Sequence, residues 1–523
     1  MYWLDLVRYA DTVGYHGDQE HPISPYRDWV IRAFNENMPF DRFTLEQLAG
    51  DLLPDATVDQ KIASGYNRLL QTSHEGGVQQ KEYQKKYDAD RVRNFSAVWL
   101  GATLGCAECH DHKYDPYTQR DFYSLAAFFA DVDDRRTFKG TDTSPTKREP
   151  ELEVVSPLDG STRRTMITEA IEPRTIRILS RGDWMDESGA IVGPAIPTFL
   201  KSLEATDRRL SRLDLARWLV SPRHPLTARV FVNRLWYLFF GVGLSTSLDD
   251  FGAQGEPPVH PELLDWLAVE FAESGWDVKH IVRLMVTSNT YRQSSQTTAE
   301  LRRRDPQNRL FARQWTYRLP AEVVRDNALA ASGLLVCRLG GAGAHPYQPA
   351  GYYKHLNFLK RDYKPDTGEN QYRRGVYTHW QRQYLHPMLK AFDAPSREEC
   401  MAARPVSNTP LAALALLNDP TFVEAARVLA ARMLHEAGPA PADRIRWAYR
   451  IVLSRPPDDA EVAALVQLLD LNRKIYRNDP ESAPRILATG QAGSGRDLDP
   501  AELAAWTHTA RAILNLHEAI SRP

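Results

Sequence analysis

The chain has 523 residues, 43% hydrophobic and 25% charged, ordinary values for a globular protein with room for two to four domains. With 65 Lys and Arg against 67 Asp and Glu, the formal charge of −2 gives no basic surface of the kind nucleic acid or anionic membrane requires. The 4 cysteines, Cys106, Cys109, Cys337 and Cys400, are too few for a disulfide framework, and no apolar run reaches the ~18 residues of a transmembrane helix.

From the start, Trp3, Leu4, Leu6 and Val7 are spaced as the apolar face of a helix, and no signal peptide precedes them. The opening has neither an N-cap nor a polar lead-in, as though the sequence began inside a longer one. Residues 25–34 predict a helix with proline in its first turn, and 44–50 a short helix closed by glycine. A helix is expected over 92–104, ending at Gly105, and another over 121–129. Residues 131–156 read as an exposed connection. Alternation at 151–155 and 175–179, with turns at Arg181-Gly182-Asp183 and Gly193-Pro194, predicts a small β insert over about 150–200. Helical period returns at Asp207, with helices at 261–271, 279–286, 410–434, 443–453 and about 500–520. Residues 340–370, rich in Gly and Tyr, predict a long ordered loop, and 477–500 a polar, mobile stretch. The expected fold class is mainly α with a small β insert, in a multi-helix two-domain architecture.

The chemistry concentrates at Cys106-Ala107-Glu108-Cys109-His110. C-x-x-C-H is the attachment sequence of c-type haem: two thiols three positions apart add to the two vinyl groups of one porphyrin, and the adjoining histidine takes the iron from the proximal side. The other reading of the same stretch is a zinc or non-haem iron site using Cys106, Cys109 and His112, or a thiol pair. His74, Met38 and His16 are the candidates for a distal ligand; without one, an open sixth position allows chemistry on a small molecule. Asp111, His112, Lys113 and Asp115 are either groups that tune the iron or move protons, or capping and surface residues.

His74-Glu75-Gly76-Gly77, with Asp90-Arg91 beyond, forms a second constellation in which Glu75, Asp90 and His112 are the acid/base or metal-ligand candidates. Its plainer reading is a tight turn with Arg91 paired to a carboxylate. Gly340-Gly341-Ala342-Gly343 lacks the lysine of a phosphate loop and instead opens an aromatic loop, through Tyr347, Tyr352 and Tyr353, that could line a cleft. Asn233-Arg234-x-Trp236 and Asp249-Asp250 have the look of structural hydrogen-bonding groups. Cys337 and Cys400 are left to form one disulfide or to stay free.

Several phrases together resemble a known family. Trp3-Leu4-Asp5-Leu6-x-Arg8-Tyr9-Ala10-Asp11, Pro39-Phe40-Asp41-x-Phe43, Gln47-Leu48-Ala49-Gly50-Asp51-Leu52-Leu53 and Cys106-x-x-Cys109-His110-Asp111-His112-Lys113-Tyr114-Asp115-Pro116 are similar to the planctomycete cytochrome c-associated domain of unknown function. Ala228-Arg229-Val230-Phe231-Val232-Asn233-Arg234-Leu235-Trp236, Asp249-Asp250-Phe251-Gly252, His260-Pro261-Glu262-Leu263-Leu264-Asp265-Trp266-Leu267-Ala268 and Asn408-Thr409-Pro410-Leu411 resemble its usual C-terminal companion domain, also of unknown function. Ala412 and His74 stand where similar chains tend to carry Gln and Asn.

The resemblance implies domains at 1–135 and 207–523 joined by a linker and β insert at 136–206, an N-terminally truncated member, and haem c on Cys106, Cys109 and His110. It implies no reaction. The expected function is that of an exported, periplasmic or extracytoplasmic c-type haem protein in electron transfer or haem-dependent oxidoreduction, with a redox partner protein or an upstream cytochrome c module. Its substrate is open; carbohydrate is suggested by the aromatic loop. The alternatives are a non-haem metal-dependent hydrolase and a cell-surface binding or scaffold protein.

Overall fold

The computed structural model describes residues 1–523 except 16, 74–76, 135, 137–144, 157–159, 201–206, 356–361, 494 and 523. Among the described residues there are nineteen α-helices and four two-stranded antiparallel ribbons, so the chain is mainly α. Contacts divide it into two compact units: residues 1–315 with 381–383 and 396–403, and residues 316–380 with 384–395 and 404–523.

In the first unit an aromatic core follows from where the apolar residues fall. Pro25 sits in the first turn of the helix Ser24–Asn35, which buries Tyr26, Trp29 and Val30 on one face. The helix Phe40–Ala49 starts from Pro39, four residues earlier than its sequence pattern suggests, and sends Phe40 and Phe43 inward. Trp3 meets Phe40, Phe43 and Trp99 edge-on at 5.9, 5.0 and 5.8 Å, and its indole N–H donates to Gln47 Oε1 at 2.9 Å. Phe40 stacks on Phe231 of the helix Thr227–Phe240 at 3.9 Å, and Phe231 on Phe271 of the helix Pro261–Glu273 at 5.3 Å. One apolar cluster thus joins the first helices to those beyond residue 226. The fully buried Arg212 adds a polar link, donating to both carboxylate oxygens of Asp51 at 2.8 and 2.7 Å and to Asp131 at 2.8 Å.

The β insert consists of two ribbons, Glu151–Val155 with Thr162–Met166 and Ile176–Arg177 with Ile191–Val192. The second unit centres on the helix Pro420–Glu436, against which Ala321–Ser332 and Pro500–Leu514 pack, and Asp459–Asn478 packs on Pro500–Leu514. The single helix expected over 410–434 is two, Pro410–Asn418 and Pro420–Glu436, because Pro420 lacks the N–H that would continue the first. Within the stretch expected to be mobile, Ser482–Leu487 is helical.

Candidate functional site

The helix leading to the cysteine motif starts and ends earlier than expected. It spans Gln80–Phe95 and passes into a wide turn, Ser96–Leu100, that Gly101 stops at φ 55°. Gly101 is needed there for space as well as for its dihedral: a Cβ would lie 2.9 Å from both Val230 and Phe251 side chains. The motif then occupies its own 3-10 turn, Leu104–Glu108, closed by Cys109 N–H to Cys106 O at 3.2 Å. It does not begin at the end of the preceding helix.

This turn faces solvent. Cys106, Cys109 and His110 are exposed, and both thiols are free. Leu104 and Ala107 point inward and anchor it. The Glu108 carbonyl accepts from Tyr123 Oη at 3.0 Å and Gln119 Nε2 at 3.1 Å, and its carboxylate pairs with Arg93 at 2.8 Å. Burial raises the Glu108 carboxyl. Burial, then the neighbouring Glu108, also pushes the Cys109 thiol up, the reverse of what an activated thiolate needs. His110 Nδ1 lies 2.8 Å from the carbonyl of Asp111, a contact only an Nδ1–H can make, so Nε2 carries the lone pair. Two exposed free thiols and an imidazole oriented through its other nitrogen are a donor set that fits haem c: Cys106 and Cys109 for the thioethers, His110 Nε2 for the iron.

The residues after the motif are committed to the fold. Asp111 accepts from Gln119 N–H at 2.7 Å, at the start of the helix Gln119–Ala126. His112 is buried, and its Nδ1 accepts from the backbone N–H of Asp115 at 2.9 Å and of Tyr114 at 3.4 Å. A neutral His112 therefore carries its proton on Nε2 and has no lone pair left for a metal, which counts against the zinc or iron reading. Lys113 lies over the Tyr114 ring at 5.0 Å. Asp115 is buried and accepts from Ala253 N–H at 2.7 Å.

Asp90 pairs with the buried Arg8 at 2.5 Å. Arg91 forms a buried two-pronged pair with Asp134 at 2.8 and 2.6 Å, as the plainer reading of that constellation requires. Glu75, His74 and His16 lie outside the described residues. Met38 lines a separate cleft with Trp29 and Arg42. Cys337 is exposed, Cys400 half-buried, and neither is in a disulfide.

What motif reading alone missed is how the loop is held. Arg234 donates to the carbonyls of Val98, Ala97 and Leu248 at 2.5, 2.6 and 2.9 Å, bracing the wide turn, and Phe251 N–H donates to Gly101 O at 2.7 Å. Gly252 and Ala253 lie against Asp115. A cleft of about 330 Å³ opens at this junction, walled by Leu100, Tyr114, Tyr117, Phe199, Leu226 and Phe251. The only sequence signal for this meeting was the co-occurrence of the two motif sets in one chain.

Family models agree with that co-occurrence. Residues 1–134 match the model described as PSCyt2, protein of unknown function (DUF1549), and residues 211–469 match PSD1, protein of unknown function (DUF1553). No curated protein and no solved structure matches the chain. The chain thus joins a DUF1549 domain, over residues 1–134, to a DUF1553 domain, over residues 211–469.

Proposed function

We propose that the protein is an exported c-type haem protein, acting in electron transfer or haem-dependent oxidoreduction, with the haem on Cys106 and Cys109 and His110 as its proximal ligand. The observation that carries this reading is the exposed, free thiol pair beside an imidazole whose Nδ1 is tied to Asp111 O at 2.8 Å. A bound haem would supply one-electron chemistry at iron. The chain's part is positional. Leu104 and Ala107 fix the turn from below, Tyr123 and Gln119 hold the Glu108 carbonyl, and the Asp111 carbonyl sets the His110 tautomer. Covalent attachment takes place in an oxidising compartment, which is why export belongs to the proposal. Among the described residues no helix is long and apolar enough to cross a membrane.

The test is expression behind an export signal in a host that matures c-type cytochromes. The pyridine haemochrome of the denatured protein is then compared with that of a C106A/C109A variant. A c-type band present only with both cysteines supports the proposal; a haem-free wild-type chain refutes it.

A further inference from the structure

The second unit contains a pair of histidines that the haem proposal does not use. Ala344 and Thr378 form a parallel bridge, with Ala344 N–H donating to Tyr377 O and His379 N–H to Ala344 O, both at 2.7 Å. Side chains one residue beyond a parallel bridge share a face at about the inter-strand spacing of ~4.8 Å. Those residues are His345 and His379. Their rings stack with centroids 4.6 Å apart and planes 21° apart, and a ring nitrogen of one lies within 4.8 Å of a ring nitrogen of the other. Asp366 is fastened to the first of them: His345 N–H donates to its carboxylate at 2.8 Å, and Asp366 N–H donates back to His345 O at 2.9 Å. Its other oxygen lies 4.0 Å from His345 Nδ1. His379 Nε2 is buried and has no hydrogen-bond partner among the described residues.

Ring stacking accounts for the overlap of the imidazoles but leaves the His379 nitrogen unsatisfied, a cost that folded proteins seldom leave standing. An ion held at that nitrogen would remove it. We propose that His345 and His379, with Asp366 behind His345, bind a borderline divalent transition ion of the Cu²⁺ or Zn²⁺ class. Imidazole nitrogen suits these ions and not Ca²⁺ or Mg²⁺, which take oxygen donors. Two ligands at ~2.1 Å from one ion are at most ~4.2 Å apart, and ~3.4 Å apart in a tetrahedral site, so the rings turn out of their stack and the nitrogens close by up to about 1.4 Å as the ion enters. The Asp366 carboxylate, 4.0 Å from His345 Nδ1, comes within hydrogen-bond reach if the ring moves by about 1 Å, and would then orient a metal-binding imidazole and raise its basicity. Both rings are half-buried, which leaves the ion a path from solvent.

The site is tested on the full chain carrying C106A, C109A and C337A, so that exposed thiols do not take the metal. Cu²⁺ alone is titrated and followed by calorimetry and electron paramagnetic resonance. The expected result is a single equivalent whose spectrum carries splitting from two nitrogens, with affinity falling at least ~10-fold in H345A and in H379A, and by roughly 10-fold in D366N. Circular dichroism checks the fold of each variant, and H379Q replaces H379A if the latter unfolds. The spectrum of the parent chain decides the matter without any histidine variant: absence of a stoichiometric two-nitrogen signal overturns the proposal. So does a two-nitrogen signal that persists unchanged in the histidine variants.

Discussion

Asp115 and Gly252 touch so closely that any other residue at position 252 must displace the carboxylate: a Cβ there would lie 2.4 Å from both carboxylate oxygens of Asp115. The contact ties the loop after the cysteine motif to the Asp249-Asp250-Phe251-Gly252 segment, and Ala253 N–H completes it at 2.7 Å. Replacing Gly252 by Ala forces the buried carboxylate off that N–H. Overpacking of this kind costs about 1–3 kcal/mol. Urea unfolding of G252A should register that loss, and an unchanged midpoint would mean that Asp115 has room to move.

His110 and His112 stand two positions apart and should fail differently. H112A removes the acceptor for the Asp115 and Tyr114 N–H groups, a loss comparable to that of a helix cap, about 0.5–2 kcal/mol, and should leave the haem spectrum intact. H110A should keep the covalent haemochrome while changing the native absorption, because only the axial ligand is lost. Loss of covalent haem in H112A with His110 intact would break this assignment of roles.

Arg91 and Asp134 should be among the most costly positions to change. The pair is wholly buried, and Gln84 Nε2 adds a third hydrogen bond to the carboxylate at 2.9 Å. Burial alone would raise the Asp134 carboxyl, but Arg91, with Arg174 and Arg68, holds it down at about 2. R91M leaves a buried carboxylate without its partner, a change that typically costs ~3–5 kcal/mol. A thermal or urea midpoint close to wild type would contradict the pairing.

Three buried groups make large contributions to the pH dependence of stability. Burial lowers His21 and His224 to about 3, so both are neutral in the fold. Below the ~6.5 of an unfolded histidine, the unfolded chain takes up protons that the folded one does not. Each histidine should therefore remove up to about 1.4 kcal/mol per pH unit as pH falls from ~6.5 towards 3. Asp134, ionised in the fold down to about 2, extends the loss below the unfolded carboxylate value of ~3.9. Urea midpoints should drop between pH 7 and 5, and an H21Q/H224N variant should show a flatter profile. An equally steep profile in that variant would locate the dependence elsewhere.

Cys400 should be the slow cysteine. Burial pushes its thiol up to about 11, whereas Cys106 and Cys337 are exposed. In the haem-free chain at neutral pH, iodoacetamide should label the exposed Cys106 and Cys337 faster than Cys400, whose raised thiol holds back its thiolate. Peptide mapping of a time course checks the order.

Much of the helical scaffold was legible because its punctuation is local. Pro25 and Pro261 open helices where expected, and the alternation at 151–155 is a strand. The helix Asp459–Asn478 was legible as well, from the reciprocal cap of Asp458 and Glu461 and from Val462, Leu465, Leu469 and Tyr476 at helical spacing. The helix Gln80–Phe95 begins well before its apolar pattern does, because its first turns, Gln80 to Lys86, are almost wholly polar. At the site, the Cys106–His110 spacing was plain. The support of its loop by Arg234, Gly252 and Ala253 depends on contacts across more than a hundred residues, which no window of sequence reveals. The stacking of His345 on His379 is hidden too, since it depends on the bridge between Ala344 and Thr378, which the glycine- and tyrosine-rich loop between them does not announce.

The central claim is covalent haem on Cys106 and Cys109. Its most direct measurement is the intact mass of the chain after maturation in a cytochrome c-competent host, followed by fragmentation of the peptide containing residues 106–110. The mass should rise by that of one haem, lost only by cleavage at those two cysteines. An unmodified mass, or haem released by denaturation, would contradict it.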